Sequence, residues 1–413
     1  DMSADRDQGY LGDGLAEEVL NILAQVEGLQ VAARTSSFAF RENHDIRDIG
    51  NQLGVATILE GSIRRDSLRV PVTAQLIDTQ TGFHLWSKAY DRELDDLFAV
   101  QDEIAQAIAL ALFGELDVGM VSTAERYEPL SEAQDLYWRG QAQWDRRDAR
   151  GIPAAIDLFT QAIAIDSMYA QAYAGLAASL ALLPQFNSTA SADETLSTAE
   201  ELALRAIALN DDLPEPHASL GLVRAFRGDR IGALISLTNA TERGHSYAPA
   251  YHWRANVEAE MGRLGEAMED AAKASEFDPL SPAIAADHGN LLLWAGHYDE
   301  ASHEFSRAQE LEFGFGPAVF GAALVALATD EEVGLRMAMS QWAALERIPM
   351  ALAEELAAGM LAFASTAATQ SVPVLLISMG ESGLLSAGLV ASLHALLGDA
   401  DGTLLWLQNA VDD

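Results

Sequence analysis

Three stretches of sequence at constant spacing decide the fold of the larger part of the chain: RGDRIGALISLTNA (Arg227–Ala240), MGRLGEAMEDAAKA (Met261–Ala274) and AGHYDEASHEFSRA (Ala295–Ala308). Each contains a glycine turn and continues with small or apolar residues spaced 0, +4 and +7, which places them on one face of a helix. The stretches recur every 34 residues, so a single helix–turn–helix unit is repeated.

The same helical face recurs along the rest of the chain, although not always at the same interval. An insertion rich in Pro, Ser and Thr lengthens the first step, and the match is weakest over residues 316–383. In that weak part we expect a helix to start near Val372, with Pro373 in its first turn, where a proline is tolerated. We count eight helical hairpins in all. The triplets are Ala155/Phe159/Ala162, Ala199/Ala203/Ala206, Ala233/Leu237/Ala240, Ala267/Ala271/Ala274, Ala301/Phe305/Ala308, Leu335/Met339/Trp342 and Thr403/Leu407/Ala410.

The repeats resemble the tetratricopeptide family in their details. Gly221 and Gly289 stand where the first helix needs a small residue to approach its partner, and Pro279 stands just after a second helix. Arg254 and His288 depart from the family because they occupy a position that is usually aliphatic. The resemblance implies an all-α superhelix of stacked hairpins with a concave groove that binds proteins or peptides.

The first 118 residues have a different pattern, with the element order α-β-α-β-β-β-α. Within it, Leu68, Val70, Val72, Ala74 and Leu76 alternate along one strand and share one of its faces. This order predicts an α/β sandwich, a single sheet with helices packed against it. The expected elements are a helix over 14–25 capped by Asp13, a strand over 29–33, a helix capped by Asp45, three strands in a meander joined by turns at Asp66–Ser67 and Thr79–Gly82, and a helix over 97–112.

Three blocks of this first part, residues 1–23, 31–65 and 74–108, together resemble the TolB amino-terminal-like (FlgO-like) domain. In that family a strand precedes the Asp-Met-Ser segment with which this sequence opens. The resemblance implies a setting like that of CadC-like membrane-anchored transcriptional regulators or of cyclase-linked bacterial signalling proteins. It also implies an anchor upstream of this sequence and a periplasmic location.

These observations divide the chain into a TolB-N/FlgO-like domain over 1–120, a connector over 121–135 and a solenoid over 136–413. The combination implies a non-enzymatic sensing and protein-interaction region of a bacterial signalling or transcriptional regulator. Two alternatives stay open: the regulatory region of a membrane-bound class III adenylate or guanylate cyclase, and a free periplasmic cell-envelope assembly or scaffold factor. The sequence leaves the oligomeric state open, a dimer included.

Composition limits the partners. The 25 basic and 62 acidic residues give a net charge of −37, which repels phosphate backbones and anionic lipids, so we expect no direct binding of nucleic acid. The chain has no cysteine, which excludes disulfides and thiolate chemistry. It has no apolar run long enough to span a membrane, so any anchor is expected upstream.

Candidates for chemistry are weak. The glycines of GYLGDGL (Gly9–Leu15) are interpreted as a tight turn into a capped helix rather than a phosphate loop, because Glu17 and Glu18 follow them. The acidic DADG at 399–402 lacks the downstream carboxylates of a calcium loop, and Asp299 and His303 alone are too few for a metal site. We therefore expect no catalytic residue, no cofactor and no metal.

The groove is the remaining candidate site, and the family resemblance maps five residues onto its lining: His252, Asn256, Glu260, Asn290 and Trp294. The two asparagines are one period apart and could hydrogen-bond a peptide backbone, and Trp294 could anchor a partner. The alternative is that these side chains are solvated and that Trp294 packs between helices.

Overall fold

The computed structural model describes residues 9–24, 26, 28–40, 45–63, 69–93, 97–113, 127, 129–144, 150–186, 191–345 and 349–365. They fall into two compact units, Asp1–Leu280 and Ser281–Asp413, each of which is described by itself. The predictions for the Asp66–Ser67 turn, the helix near Val372, the Thr403 triplet, the DADG turn and the domain boundary at 120 lie outside the described residues.

The sheet of the first unit is the predicted meander. Its strands are β1 (Thr57–Ile63), β2 (Arg69–Asp78) and β3 (His84–Glu93), and β2 pairs antiparallel with both of the others. The predicted alternation along β2 is confirmed, because Val70, Val72, Ala74 and Leu76 are all buried on the face that meets the helices. The predicted hairpin turn is confirmed as well: the carboxylate of Asp78 accepts hydrogen bonds from the Thr81 amide and hydroxyl, both at 2.7 Å.

Four helices accompany the sheet: α1 (Gly9–Leu23), α2 (Arg34–Ser37), α3 (Ile46–Leu53) and α4 (Leu97–Phe113). Asp45 caps α3 as predicted, with its carboxylate 2.9 Å from the amide nitrogen of Arg47. Helices α1 and α4 pack together and bury their apolar faces on β2, which gives the predicted α/β sandwich.

The start of α1 differs from the prediction of a turn capped by Asp13, because the glycines lie inside the helix. Their role is close packing. A Cβ atom at Gly14 would lie 2.1 Å from the Trp138 ring, and one at Gly12 would lie 3.1 Å from Ile63 Cγ2. Glycine is therefore kept in a helix that it does not favour because two neighbouring elements approach the backbone.

The predicted strand over 29–33 is wrong. These residues are extended but do not join the sheet, because their backbone groups bond to the helical hairpins instead. The Ala33 amide donates to the Phe277 carbonyl at 2.5 Å, and the Val31 amide donates to the Ser246 hydroxyl at 3.3 Å. A strand-like sequence thus has its hydrogen bonds satisfied outside the sheet.

Helical hairpins make up the rest of the first unit. Each first helix packs on its own second helix and on a helix of the next hairpin, since one hairpin cannot bury its apolar face alone. The pairs are α5 (Ser131–Trp144) with α6 (Gly151–Ile165), α7 (Ala170–Phe186) with α8 (Ala192–Leu209), α9 (Pro214–Phe226) with α10 (Arg230–Arg243), and α11 (Ala248–Glu260) with α12 (Leu264–Phe277).

The second unit continues the same pattern. Its helices are α13 (Pro282–Trp294) with α14 (Tyr298–Leu311), α15 (Gly316–Ala328) with α16 (Glu332–Leu345), and α17 (Met350–Ser365). The predicted inner faces are confirmed in both units, because every triplet up to Leu335/Met339/Trp342 is buried. Gly221 and Gly289 are close-approach positions as predicted: a Cβ atom would lie 2.5 Å from Leu237 and 2.8 Å from Phe305, respectively.

The predicted fold class is therefore confirmed: a small α/β domain precedes an all-α array of tetratricopeptide-type hairpins. None of the helices in the described part of the chain has the length and apolar character needed to cross a lipid bilayer.

Candidate functional site: the inner groove of the hairpins

The inner lining of the array can be located from the small residue that each first helix places against a second helix. Gly140 and Gly175 face Phe159 of α6, Gly221 faces Leu237 of α10, and Ala255 stands at the same place in hairpin 4. Three residues of each first helix share the face that lines the groove: those six and three positions before the small residue and the one directly after it. They are spaced i, i+3 and i+7. We call them the groove positions. They are Gln134, Tyr137 and Gln141 in hairpin 1, Tyr169, Ala172 and Leu176 in hairpin 2, Glu215, Ala218 and Leu222 in hairpin 3, and Pro249, His252 and Asn256 in hairpin 4.

In hairpins 1 and 2 the chain's own helix α1 shares a buried core with groove positions. Leu15 and Val19 of α1 belong to the same core as Tyr137, Tyr169 and Leu176. Helix α1 packs directly on α5. In hairpin 3 the charge of Glu17 on α1 reaches Glu215. The N-terminal domain therefore occupies the part of the groove that hairpins 1 and 2 form, beside Glu215 of hairpin 3.

A buried ion pair lies at the centre of this contact. Glu17 of α1 accepts a hydrogen bond from the Gln141 amide at 3.1 Å, and its other oxygen lies 2.9 Å from Arg34 Nε. Burial raises the pKa of Glu17, although Arg34 and Gln141 act to lower it. Arg34 accompanies Glu17 into the interface and places a cation beside the buried carboxyl group.

A second carboxylate, that of Glu215, lies in the same interface, and no cation of the described residues is among the groups that shift its pKa. Burial, and to a lesser extent the nearby charge of Glu17, raises the pKa of Glu215 to about 7. A hydrogen bond from the backbone amide of Glu215 acts to lower this pKa but does not offset burial. Its Oε2 atom is buried and, among the described residues, has no hydrogen-bond partner. Burial also raises the pKa values of Tyr137 and Tyr169, whose ring centroids are 5.0 Å apart.

Residues 29–37, which we call the latch segment, fasten the N-terminal domain to hairpins 3 and 4. Thr35 and Ser36 donate hydroxyl hydrogen bonds to the Asp278 carboxylate at 2.6 and 2.5 Å. The Ser36 hydroxyl accepts from the Leu280 amide at 2.8 Å, and Ser246 bonds to the backbone of the segment. Asp278 caps the end of α12, so the latch segment is held at the ends of second helices.

A similar arrangement holds the chain ahead of α5. Asp166, at the end of α6, accepts hydrogen bonds from the Tyr127 hydroxyl and from the amides of Leu130 and Met168. Burial acts against ionisation, yet these donors hold the pKa of Asp166 below its usual range. Burial and the hydrogen bond to Asp166 raise the pKa of Tyr127 to about 12.

We expect Tyr127→Phe to remove one late-titrating phenol from the absorbance titration of the protein, because Tyr127 ionises only near its pKa of about 12.

The pKa of Asp166 is depressed in the folded state, so the contribution of Asp166 to the free energy of unfolding is fully present above the pKa that this residue has in the unfolded chain. This contribution is lost as the pH falls through the pKa that Asp166 has in the folded state. Urea unfolding of wild type and Asp166→Asn should therefore differ at pH 7 and converge in acid. A constant difference would contradict this account.

The predicted groove residues fall into both units. In the first unit His252 and Asn256 are partly buried on α11, and Glu260 is exposed and pairs with Arg230, with Oε2 and Nε 2.6 Å apart. In the second unit Asn290 is partly buried, and the side chain of Trp294 is 56% exposed. The alternative that Trp294 packs between helices is therefore wrong.

The occupied part of the groove was not predicted from the sequence. Tyr137 and Gln141 stand at the same repeat positions as the predicted His252 and Asn256, whereas Tyr169 and Glu215 stand at the position of Pro249. Glu17 was the available signal, because it is an acidic residue in a helix whose other buried side chains are apolar.

The described residues contain no cluster of three or more His, Cys, Asp or Glu side chains arranged to hold a metal ion. The one imidazole that was weighed as a ligand, His303, lies with its Nδ1 atom 3.6 Å from Glu304 Oε1 on the surface of α14. The site is thus a lining of hydrogen-bonding and aromatic side chains.

Comparison with known proteins gives one relative of similar sequence. The chain is 38% identical over 228 residues to the protein named "Putative adenylate cyclase 3" of Rhizobium meliloti (strain 1021), and this covers 54% of the chain and 39% of that relative. The chain therefore spans about two fifths of the relative's length. No protein-family model matches the chain.

Solved structures with similar folds share low sequence identity with this chain. A thermophilic TPR protein of Thermus thermophilus is 20% identical, with a TM-score of 0.40 over 47% of this chain and 98% of its own. PilF of Pseudomonas aeruginosa is 16% identical, with a TM-score of 0.42 over 55% of this chain and 97% of its own.

Proposed function

We propose that this chain is a non-catalytic, protein-binding region of a bacterial signalling protein, in which a groove of tetratricopeptide-type hairpins takes a protein or peptide segment. The observation that carries the proposal is the contrast between hairpins. Groove positions of hairpins 1 and 2 share a buried core with α1, whereas His252 and Asn256 of hairpin 4 keep part of their surface accessible. Amide side chains at such positions bond to a peptide backbone and position it.

The experiment is capture of partners by the purified chain, followed by an affinity measurement on each identified partner. We expect Asn256→Ala combined with Asn290→Ala to weaken binding by about tenfold, the loss of about 1.4 kcal/mol. Asn239→Ala is the matched control, because Asn239 is a partly buried asparagine on a second helix. Equal affinities for wild type and the double variant would overturn the groove as the binding site.

The specific setting that we favour is the regulatory region of an adenylate cyclase. It is supported by the relative of 38% identity, whose name carries that activity. The catalytic residues would then lie elsewhere in the whole protein, and this region would act on them by binding a partner. The full gene product should make cyclic AMP at a rate that the Asn256→Ala/Asn290→Ala variant alters. A gene product with a DNA-binding domain would favour the transcriptional regulator instead.

The FlgO-like resemblance of residues 1–118 and the periplasmic location remain part of this proposal. Fusions of the full gene product to alkaline phosphatase and to green fluorescent protein test the location. Phosphatase activity with a dark fluorescent fusion is expected, and the opposite pattern would place the region in the cytoplasm.

A further inference from the structure

The contact between α1 and the groove leaves buried polar atoms without partners. Among the described residues, Gln134 Nε2, Trp138 Nε1, Tyr169 Oη and Glu215 Oε2 are buried and have no hydrogen-bond partner. Each buried polar atom of this kind destabilises the state that contains it. The docked arrangement is therefore not the best arrangement that this groove can reach with a ligand.

The unsatisfied atoms also indicate which ligand would bind better. Glu215 offers a carboxylate oxygen, and the nearest carboxylate on α1, that of Glu17, raises its pKa by repulsion in addition to burial. Arg34 pairs with Glu17. A cationic side chain opposite Glu215 would pair with its buried carboxylate. Gln134 and Tyr169 could hydrogen-bond to the backbone that carries this cationic side chain.

We propose that α1 and the latch segment are a displaceable occupant of the groove in hairpins 1 and 2, beside Glu215 of hairpin 3, and that the competing ligand is a partner segment with a basic side chain opposite Glu215. This inference deepens the proposed function and depends on it for the partner. The strongly acidic chain, with a net charge of −37, adds long-range attraction for such a segment.

The latch segment is suited to release because polar contacts hold it. Its anchors are the Asp278 carboxylate and the Ser246 hydroxyl, whereas Thr35 at the contact is exposed to water. When the segment leaves, water can replace each of these hydrogen bonds. The apolar contacts of α1, and those of Leu29 and Val31 with the same core, oppose release.

Two variants should shift docking in opposite directions. Hydrogen exchange of the full chain at pH 8 reports the opening of α1 without any partner. Asp278→Asn removes the charge from the latch and should speed exchange of α1 by about tenfold or more. Glu215→Gln removes the uncompensated carboxylate and should slow exchange of α1 by about tenfold or more. Asp212→Asn is the matched control, since Asp212 is an exposed carboxylate, and should change nothing.

Faster exchange in both variants would mean that Glu215 stabilises the docked state, and this would overturn the proposal. Unchanged exchange in Asp278→Asn would show that the latch does not hold α1 and would overturn it equally. Because these readings need no partner, they stand even if the proposed function fails. Slower exchange in Glu215→Gln combined with faster exchange in Asp278→Asn supports a displaceable occupant.

The ligand is tested with a labelled synthetic peptide of the α1 sequence, residues 9–23, in which lysine replaces Glu17. We expect this peptide to bind Asp278→Asn about tenfold more tightly than wild type, and to lose that affinity when Glu215→Gln is added. Equal binding of the unaltered α1 peptide would overturn the basic ligand. Dimers of Asp278→Asn in light scattering would identify a second copy of the chain as the occupant, and would overturn it too.

Discussion

Replacing Arg254 by methionine should lower the free energy of unfolding of the first unit by about 3–5 kcal/mol. Arg254 lies on α11 and binds the Asp270 carboxylate of α12 through two nitrogens, with Nε–Oδ2 and Nη2–Oδ1 distances of 2.5 and 2.9 Å. Asp270 is only 4% exposed. Without the guanidinium, a buried negative charge would remain, and Lys273 Nζ at 3.9 Å is too distant to replace both bonds.

The loss is measured by urea unfolding, and three variants separate the pair from its surroundings. Arg254→Met with Asp270→Leu should recover most of the stability, because neither charge is then left alone. Arg254→Lys should recover less, since lysine cannot form the bidentate contact. Arg230→Met is the control, because its pair with Glu260 is exposed and contributes about 0–1 kcal/mol. A single variant as stable as the double one would contradict this explanation.

The second unit repeats this pair one period later. His288 and Glu304 stand 34 residues after Arg254 and Asp270, with Nδ1 3.9 Å from Oε2. Burial lowers the pKa of His288, although Glu304 acts to raise it. Sequence analysis found both departures from the aliphatic position but not their partners. The partner lies on the other helix of the hairpin, and the apolar pattern describes only one helix at a time.

The features that sequence predicted well have short-range causes. The triplets Ala233/Leu237/Ala240 and Ala301/Phe305/Ala308 are buried because three positions on one helix turn toward the same side wherever the helix lies. The strand β2 and its turn at Asp78 follow equally from alternation and from local hydrogen bonds. Such features can be predicted without knowing which other element of the fold packs against them.

The features that could not be predicted depend on which distant part of the chain a segment packs against or hydrogen-bonds with. Residues 29–33 have the composition of a strand, but their amides bond to Ser246 and Phe277, more than 200 positions away in the chain. Likewise the glycines of α1 resembled a turn, because the side chains that approach Gly12 and Gly14 lie on other elements, Ile63 on β1 and Trp138 on α5. The groove was therefore assigned to α11 and α13, while the contact of α1 with hairpins 1 and 2 was not predicted.

Replacing Phe159 by alanine should destabilise the first unit by about 3–5 kcal/mol and should also loosen the N-terminal domain. Phe159 is fully buried on α6, and its ring fills the space that Gly140 and Gly175 leave open, where Cβ atoms would lie 2.6 and 2.7 Å from it. Glycines have no side chain to move into the cavity, so collapse cannot recover the loss. The ring also packs on Tyr137, with centroids 5.7 Å apart.

Tyr137 belongs to the same buried core as α1, so a cavity beside Tyr137 should weaken the packing of α1 in the groove. The amide hydrogens of α1 should therefore exchange faster, in addition to the global loss of stability. Phe226→Ala is the control, since Phe226 is 43% exposed and its removal should change stability by no more than about 0.5 kcal/mol. Gly140→Ala added to Phe159→Leu should restore part of the stability by filling the space from the other side. If Phe159→Ala lowered stability but left α1 as protected as in wild type, the groove lining would not be one packed layer with the hairpin core, and the coupling between docking and the array would have to be abandoned.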